Sequence, residues 1–459
     1  MNPDRRPQTA DRRPSLPIPI IIGLALPALV LFYFYITYAY GAWFWQDDFG
    51  FIAHYANSIQ WNQLFDFTNF GRFLSRNGYW HWGIKYFSYN AQFFYIFNFF
   101  IILCSCLLLY KIFEKYGRLN GFIAGLFYFL LPATVDSYAW LSNSQHILGH
   151  FFVLLFVYLF TKDIAEKSRT QEFTRTLQLL VILILGFTSN VFMSMVVSLP
   201  AWMILINKEY RRSKTAYFTV GFGTLLFALF FFKLSGNQTG AYSTSYTIET
   251  LAKNLDFYFS SGFFATIWIV SIVFGTIYAI ARKNYLASWL FIASSAFFLP
   301  FAFFVHQRYV QYGALTYLFF LLGIWLLLIE SKLKHRPNLV SYVGLAIVIL
   351  LFSKSLEPPI RYFSDNPRGA EQKQQIQFLK VFNSQNPNIK NYCFRSNKKV
   401  ENTTGVKEWD IPGDWWFVGF GKAFTLFVSH EKTYELIQDA ARCDVVFVFK
   451  EGRLEVTDQ

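Results

Sequence analysis

Two adjacent carboxylates, Asp47 and Asp48, follow a short aromatic stretch early in the chain and are the residues best suited to acid–base chemistry. A hydroxyl nucleophile needs a carboxylate base within hydrogen-bond reach. Neighbouring residues point in different directions on a helix or a strand, so we expect one functional and one structural carboxylate. Asp48 suits the cap of the helix that follows. We therefore favour Asp47 as the base and keep Asp48 as the alternative; either is a candidate ligand for Mg²⁺ or Mn²⁺.

A pair of arginines, Arg72 and Arg76, lies four residues apart in the same segment. Such residues are neighbours on a helix, where like charges repel, and an anion between them relieves the repulsion. The planar guanidinium fork matches phosphate oxygens. The pair therefore predicts a phosphate-binding site, with contact to lipid headgroups as the alternative.

Two further segments carry polar side chains next to apolar runs. Asp136 and Trp140 follow one such run, and Arg308 and Tyr309 lie in a short connection between two others. We expect all four to bind substrate. A fifth group, the two histidines His146 and His150, has helical spacing for a metal pair, but no HExxH motif accompanies it, so we favour an ordinary packing role.

The spacing of apolar side chains predicts the helices that position these residues. Residues 49–59 repeat apolar side chains at helical intervals, which predicts a helix directly after the two carboxylates. Residues 73–87 have the spacing of a second helix, and its aromatic face, with Trp80, predicts a position at a membrane interface.

Composition identifies the class of protein. The chain has 459 residues, of which 54% are hydrophobic, 21% aromatic and only 15% charged, against about 25% charged residues in soluble proteins. The net charge of +13 is spread over many short loops, which argues against a nucleic-acid partner. A polytopic membrane protein in contact with membrane lipids is the remaining class.

Apolar runs of about 17–25 residues are long enough to cross a bilayer. We predict about eleven transmembrane helices, at 17–40, 92–113, 119–134, 146–161, 176–189, 191–206, 215–234, 259–280, 285–305, 309–329 and 338–354. The pair at 176–206 is either two spans or one re-entrant hairpin.

The Lys and Arg residues of the loops set the orientation, because cytoplasmic loops are enriched in them. With the N-terminus in the cytoplasm, twenty lie in inner loops and six in outer ones. We therefore predict a cell inner (plasma) membrane protein with a cytoplasmic tail at 1–16, a transmembrane domain at 17–356 and a first outer loop at 41–91. All the candidate site residues then face one extracytoplasmic compartment.

The C-terminal segment, 357–459, is predicted to be a small extracytoplasmic α/β domain. Helical spacing occurs at 370–384 and 431–441, and strand patterns at 391–395 and 443–450. Cys393 and Cys443 lie at predicted strand edges, on the oxidising side of the membrane, and we predict a disulfide between them.

The order of these segments resembles the GT-C superfamily of integral-membrane glycosyltransferases. One span followed by Trp45-Gln46-Asp47-Asp48 at the head of a long outer loop is similar to its Trp-x-Asp-Asp opening. Five other segments resemble those of a bacterial-type branch of that superfamily: Gly71-Arg72-Phe73-Leu74, Asn90-Ala91 to Asn98, Pro132 to Ser142, Ser189 to Pro200, and Arg308-Tyr309. The match covers about 17–330. Departures are Phe73 for Pro, Leu131 for His, Asp136 for Glu, and Ser189-Asn190 without the Lys-Glu pair.

The resemblance implies an inverting transfer of sugar from a polyprenyl-phosphate-linked donor to an acceptor hydroxyl on the outer face. The acceptor is a lipid, a glycan or a protein. Asp47 or Asp48 is then the base or a metal ligand, and the arginines stabilise the departing phosphate. The alternatives are a transporter or flippase of lipid-linked glycans and a non-catalytic envelope assembly protein. Transport sites usually lie at the bilayer midplane in internally repeated folds, and no repeat is found.

Overall fold

A computed structural model describes residues 42–44, 47–55, 58–64, 71–138, 140–162, 169–236, 244–305, 310–330, 369–396, 421–436, 443–450 and 453–457, with parts of 343–351. Over these residues the chain is mostly helical, with one small sheet near the C-terminal end. The predicted combination of a helical protein with a small C-terminal α/β unit is confirmed at this level.

The helices alternate between long apolar rods and short connecting turns. In chain order they are α1 (Asp47–Tyr55), α2 (Tyr79–Phe87), α3 (Ala91–Phe113), α4 (Arg118–Leu130), α5 (Pro132–Tyr138), α6 (Ser144–Thr161), α7 (Arg169–Ser189), α8 (Ser198–Ile206), α9 (Lys214–Gly236), α10 (Ile248–Phe259), α11 (Gly262–Ala281), α12 (Tyr285–Phe298), α13 (Ala314–Glu330), α14 (Ala370–Gln385) and α15 (Lys422–Phe427). Short 3₁₀ and π-helical segments join several of them. The π-helical segment Leu74–Gly78 and the 3₁₀ segments Leu141–Asn143 and Val191–Val197 are the ones that bear on the site.

Five of the described helical stretches are long and apolar enough to cross a membrane: Ala91–Tyr116, Leu141–Thr161, Gln171–Ser189, Gly262–Ala281 and Gln311–Glu330. Four more apolar helices are shorter: Arg118–Leu130, Val191–Ile206, Lys214–Leu229 and Tyr285–Phe298. The predicted span at 17–40 lies outside the described residues, and that at 338–354 lies almost wholly outside them. The total of eleven spans therefore stays a prediction.

Several predicted span boundaries are wrong, and local chemistry explains them. The run at 119–134 is interrupted because Leu131 is extended, as a residue preceding a proline tends to be, and Pro132 starts α5. The run at 259–280 begins only at Gly262, because Ser260 has a left-handed backbone and Ser261 caps α11 by accepting from the Phe264 amide.

The C-terminal unit contains a four-stranded sheet with α14 and α15. Its strands are β1 (Asn391–Ser396), β2 (Thr433–Leu436), β3 (Val445–Lys450) and β4 (Arg453–Thr457), in the spatial order β2-β1-β3-β4. The first three strands run parallel and β4 is antiparallel to β3. Apolar side chains of β1 and β3 lie under α14, where the rings of Phe382 and Phe447 are 5.1 Å apart.

The predicted helix at 431–441 is wrong over its described part, because Thr433–Leu436 is an edge strand paired with β1. Residues 437–442 lie outside the described part of the chain. The segment alternates exposed and half-buried side chains, which is the period of a strand with one face on a core. The other three predicted tail elements are confirmed.

The predicted disulfide is present between Cys393 in β1 and Cys443 just before β3, with their Cα atoms 5.7 Å apart. It lies beside the pairing of β1 with β3, where the Asp444 amide donates to the Asn391 carbonyl. The covalent link therefore reinforces the central strand pair of the sheet.

Candidate functional site

One face of α1 is anchored in the protein core. Asp48, Ile52 and Tyr55 follow one another at helical intervals, and all three are buried. The Asp48 carboxylate, wholly excluded from solvent, accepts a hydrogen bond of 2.5 Å from the Ser142 hydroxyl. Burial of a carboxylate is costly without such a donor, so this contact fixes the first turn of α1 against the 3₁₀ turn Leu141–Asn143.

An adjoining face of α1, about 100° around the helix axis, carries the second carboxylate. Asp47, Gly50 and Phe51 share this face by their spacing of three and four residues. The Arg76 guanidinium carbon lies 5.0 Å from the centre of the Phe51 ring. On the other side, the Lys422 ammonium nitrogen lies 3.8 Å from the position that a Cβ on Gly50 would occupy. Asp47 therefore begins a stripe that is flanked by two cations.

The pKa of Asp47 reflects both of these surroundings. Solvent reaches the side chain, yet the protein around it removes enough hydration that desolvation is the largest effect and raises the pKa of this carboxyl. The positive charges of Arg76 and Lys422 oppose the rise. Asp47 is thus an accessible carboxylate with increased basicity, which are the properties expected of a general base.

Asp48 influences a buried tyrosine instead. The Tyr79 hydroxyl donates to the Asn98 side-chain oxygen at 3.0 Å. Burial raises the pKa of Tyr79 well above its ordinary value, and the negative charge of Asp48 adds to the rise. Asp48 therefore belongs to a buried polar network, and the two neighbouring carboxylates occupy different environments, as predicted. The predicted role of Asp48 as the helix cap is wrong, because the helix already includes Asp47 and the Asp48 carboxylate accepts from Ser142 instead.

The arginine segment is held against the end of α7. The Ser75 hydroxyl donates to the Ser189 carbonyl at 2.6 Å, and the Arg76 amide donates to the Arg72 carbonyl at 2.9 Å. A side chain on Gly71 would overlap Val191, so the glycine allows this close approach. Arg72 and Arg76 therefore lie on adjacent turns of one rigid segment beside α1 and α6.

Residues 143–146, at the start of α6, form a polar wall next to this segment. The Asn190 amide nitrogen donates to Nδ1 of His146 at 3.2 Å, and the Arg72 charge acts on the same imidazole. His150 contacts the Tyr128 hydroxyl at 3.2 Å. The histidine pair is thus engaged in separate side-chain contacts.

Four consecutive residues of this wall carry a buried polar atom without a hydrogen-bond partner in the described structure: Asn143 Nδ2, Ser144 Oγ, Gln145 Oε1 and His146 Nε2. Buried polar groups are normally satisfied, and an unsatisfied one costs about 1–3 kcal/mol. These unsatisfied atoms begin one residue after Ser142, the partner of Asp48.

The remaining predicted site residues are placed as follows. Trp140 is half-buried and immediately precedes the turn that holds Ser142. Asp136 belongs to α5, but its side chain lies outside the described residues. Arg308 and Tyr309 also lie outside them. The structure thus brings Asp47, Asp48, Arg72, Arg76 and Trp140 into neighbouring elements, and the other three stay predictions.

Trp80, predicted to lie at a membrane interface, is instead fully buried. Its ring packs against Phe44, Phe51 and Phe94. The prediction is wrong because α2 turns this face toward α1 and α3 rather than toward lipid.

The structure gives Asp47 and Asp48 different partners, and Asp47 or Asp48 as a ligand of Mg²⁺ or Mn²⁺ stays a prediction. Asp48 is bonded to Ser142 within the core, whereas the charges nearest to Asp47 are those of Arg76 and Lys422. No group of three or more His, Cys, Asp or Glu side chains suited to a metal ion occurs within the described ranges. Positive charge near Asp47 is supplied by Arg76 and Lys422.

Three residues of the candidate site were not identified as site residues from the sequence. Ser142 and Asn190 lie in segments that carry the family resemblance, but nothing in their types singles them out. Lys422 lies in the C-terminal unit, far along the chain from Asp47, and only the fold brings the two together.

Comparison with known protein-family models finds no match to this chain, and no curated protein matches it either.

Proposed function

We propose that this protein is a membrane glycosyltransferase that moves a sugar from a polyprenyl-phosphate-linked donor to an acceptor hydroxyl on the extracytoplasmic face. The observation that carries the proposal is the placement of Asp47: an accessible carboxylate whose pKa is raised by desolvation, beside the Arg76 guanidinium. A base next to a phosphate-binding cation is what such a transfer requires.

In the proposed step, the acceptor hydroxyl oxygen attacks the anomeric carbon of the donor sugar while Asp47 accepts the hydroxyl proton. The bond from the anomeric carbon to the phosphate oxygen breaks, and polyprenyl phosphate leaves with the electron pair. Attack opposite the leaving group inverts the anomeric configuration. Arg76, with Arg72 one turn away, stabilises the negative charge that develops on the phosphate.

Asp48 has a positioning role in this account. Its bond to Ser142 fixes α1 relative to the polar wall at the start of α6. The unsatisfied atoms of Asn143 and His146 in that wall are suited to sugar hydroxyls.

The membrane topology is part of the proposal, and contacts between helix ends support it. The Arg175 guanidinium donates to the Phe160 carbonyl at 2.7 Å, and the Phe160 and Tyr210 rings stack with centroids 5.3 Å apart. The Asn284 amide donates to Glu330 at 2.7 Å. Each contact joins residues that flank predicted cytoplasmic loops. The site elements lie at the opposite ends of these helices, as the predicted orientation requires.

The experiment is a transfer assay with the full chain reconstituted in lipid vesicles. Polyprenyl-phosphate sugars are supplied with extracts of lipids, glycans and proteins, and release of polyprenyl phosphate is followed by mass spectrometry. The proposal predicts release that depends on both the protein and an acceptor. Movement of intact donor between leaflets indicates a flippase, and donor binding without turnover indicates an assembly protein; either result contradicts the proposal.

A further inference from the structure

The C-terminal α/β unit contacts the candidate site through a compact aromatic seam. The Phe427 ring of α15 lies 5.1 Å from that of Trp43, 6.2 Å from that of Phe49 and 5.3 Å from that of Tyr89. Trp43 precedes α1, Phe49 lies in α1, and Tyr89 lies between α2 and α3. Aromatic pairs at such distances stabilise a contact beyond the area that they bury, so α15 has a defined position over α1.

A second contact fixes the start of α14 on the same segment. Gly369 has a φ of +79°, and a Cβ there would come within 2.7 Å of the Phe44 carbonyl oxygen. Only glycine accommodates both the left-handed backbone and the close approach. The C-terminal unit is therefore docked at two points, and Lys422, the first residue of α15, is carried to the exposed face of α1.

Lys422 is placed where its positive charge acts on the Asp47 carboxylate. Its side chain is exposed, and its ammonium group lies over Gly50, one turn from Asp47. Arg76 lies over Phe51 on the same face. The face thus holds two cations and one carboxylate, a net positive charge that favours an anion of at least one negative charge.

We propose that Lys422 completes the site as a phosphate-binding residue, so that the C-terminal unit and Arg76 hold the phosphate of the ligand from two sides next to Asp47. The ligand chemistry is a phosphate carried on a polyprenyl chain or free in solution. This inference deepens the proposed function and rests on it for the identity of the lipid. A lysine ammonium suits the task because it acts as a mobile point charge on phosphate oxygens.

The test measures binding, and therefore does not depend on turnover. The full chain in neutral-lipid nanodiscs is titrated with polyprenyl phosphate and, in a separate arm, with inorganic phosphate. Variants are Lys422→Ala, Lys422→Arg and Lys422→Glu. Lys380→Ala is the matched control, because Lys380 is an exposed lysine of the same unit on α14. Protease resistance of the tail establishes that each variant is docked.

Loss of one charge-assisted contact predicts about tenfold weaker binding of polyprenyl phosphate by Lys422→Ala, with Lys422→Arg near wild type and Lys422→Glu weaker still. Inorganic phosphate is expected to show the same order at lower affinity, which places the recognition on the phosphate. Equal affinity of wild type and Lys422→Ala for polyprenyl phosphate overturns the inference. So does an equal loss in Lys380→Ala, which indicates a nonspecific surface charge.

The two proposals fail in different ways. Weaker binding in Lys422→Ala together with absence of sugar transfer by the wild type supports the phosphate site and rejects the glycosyltransferase. Sugar transfer by the wild type with unchanged binding and an unchanged KM for the donor in Lys422→Ala rejects the role of Lys422 alone. Chemical acylation of Lys422, followed by mass spectrometry, gives a second readout: polyprenyl phosphate should protect Lys422 and leave Lys380 reactive.

Discussion

The Ser142 hydroxyl and the Asp48 carboxylate, 94 residues apart in the chain, form a hydrogen bond in the protein interior. This bond joins the helix that carries Asp47 to the polar start of α6. It also separates the roles of two adjacent carboxylates, since one is held within the core and the other faces outward between Arg76 and Lys422.

Removal of the serine hydroxyl should destabilise the protein. Ser142→Ala takes a donor away from a buried carboxylate, and we expect a loss of about 1–3 kcal/mol in the free energy of unfolding. Thermal unfolding of the purified protein measures it. The double variant with Asp48→Asn should lose less than the sum of the single variants, because the two residues share one interaction. Additive losses would show that the bond contributes nothing.

The rise of kcat/KM on the acid side of the pH–rate profile should reflect the ionisation of the Asp47 carboxyl. A base must be ionised, so kcat/KM rises with pH through the pKa of this carboxyl. Lys422 lowers that pKa, and Lys422→Ala should therefore move the acid limb to higher pH. Lys380→Ala should leave the limb in place. An identical limb in Lys422→Ala and the wild type would show that the lysine charge does not act on the base.

The stability of the folded protein should also depend on the ionisation of Asp47, but in the opposite direction to activity. Desolvation raises the pKa of Asp47 in the folded protein, so protonation favours folding; this contribution is full below the unfolded pKa and is lost as the pH rises through the folded pKa. Asp47→Asn removes the cost of ionisation. Its melting temperature at neutral pH should equal or exceed that of the wild type, and a clear decrease would identify Asp47 as a structural residue.

The docking of the C-terminal unit should depend on Gly369. Gly369→Ala places a Cβ against the Phe44 carbonyl and forces an L residue into a left-handed conformation, at a cost of about 1–2 kcal/mol from the backbone alone. We expect faster proteolysis of the tail. As a control for the substitution itself, Gly262→Ala adds a Cβ that meets nothing within 4 Å and should not alter the tail.

The disulfide should stabilise the sheet of the C-terminal unit. Cys393→Ser with Cys443→Ser removes a link that closes a loop of 50 residues, and we expect a loss of about 2–4 kcal/mol. Hydrogen exchange of β1 and β3 in the full chain measures the effect locally. Unchanged protection in both strands would mean that the strand pairing alone determines the stability of this unit.

Patterns of neighbouring residues predicted much of this fold. The helical spacing at 370–384 and the strand pattern at 443–450 depend on local side-chain alternation and are confirmed. The helix predicted at 49–59 is confirmed only as far as Tyr55, because residues 58–60 are not helical. The helix predicted at 431–441 failed because Thr433–Leu436 gains its stability from pairing with β1, which lies some forty residues earlier. Local periodicity does not contain that contact.

The candidate site was likewise predicted only in part from the sequence. The different roles of Asp47 and Asp48 follow from the geometry of adjacent residues on one helix, which the sequence alone supplies. The partners Ser142 and Lys422 come from distant segments, and the position of Trp80 in the core depends on how α2 packs on α1 and α3. Such contacts are set by tertiary packing, so residue types and spacing did not identify them.

The most direct test of the account is sugar transfer by Asp47→Asn in reconstituted vesicles. Loss of a general base predicts a decrease in kcat of about 10²-fold or more, with donor binding and folding retained. Asp256→Asn, an exposed aspartate on α10, should transfer sugar at the wild-type rate. Wild-type transfer by Asp47→Asn would contradict the assignment of the base and, with it, the proposed mechanism.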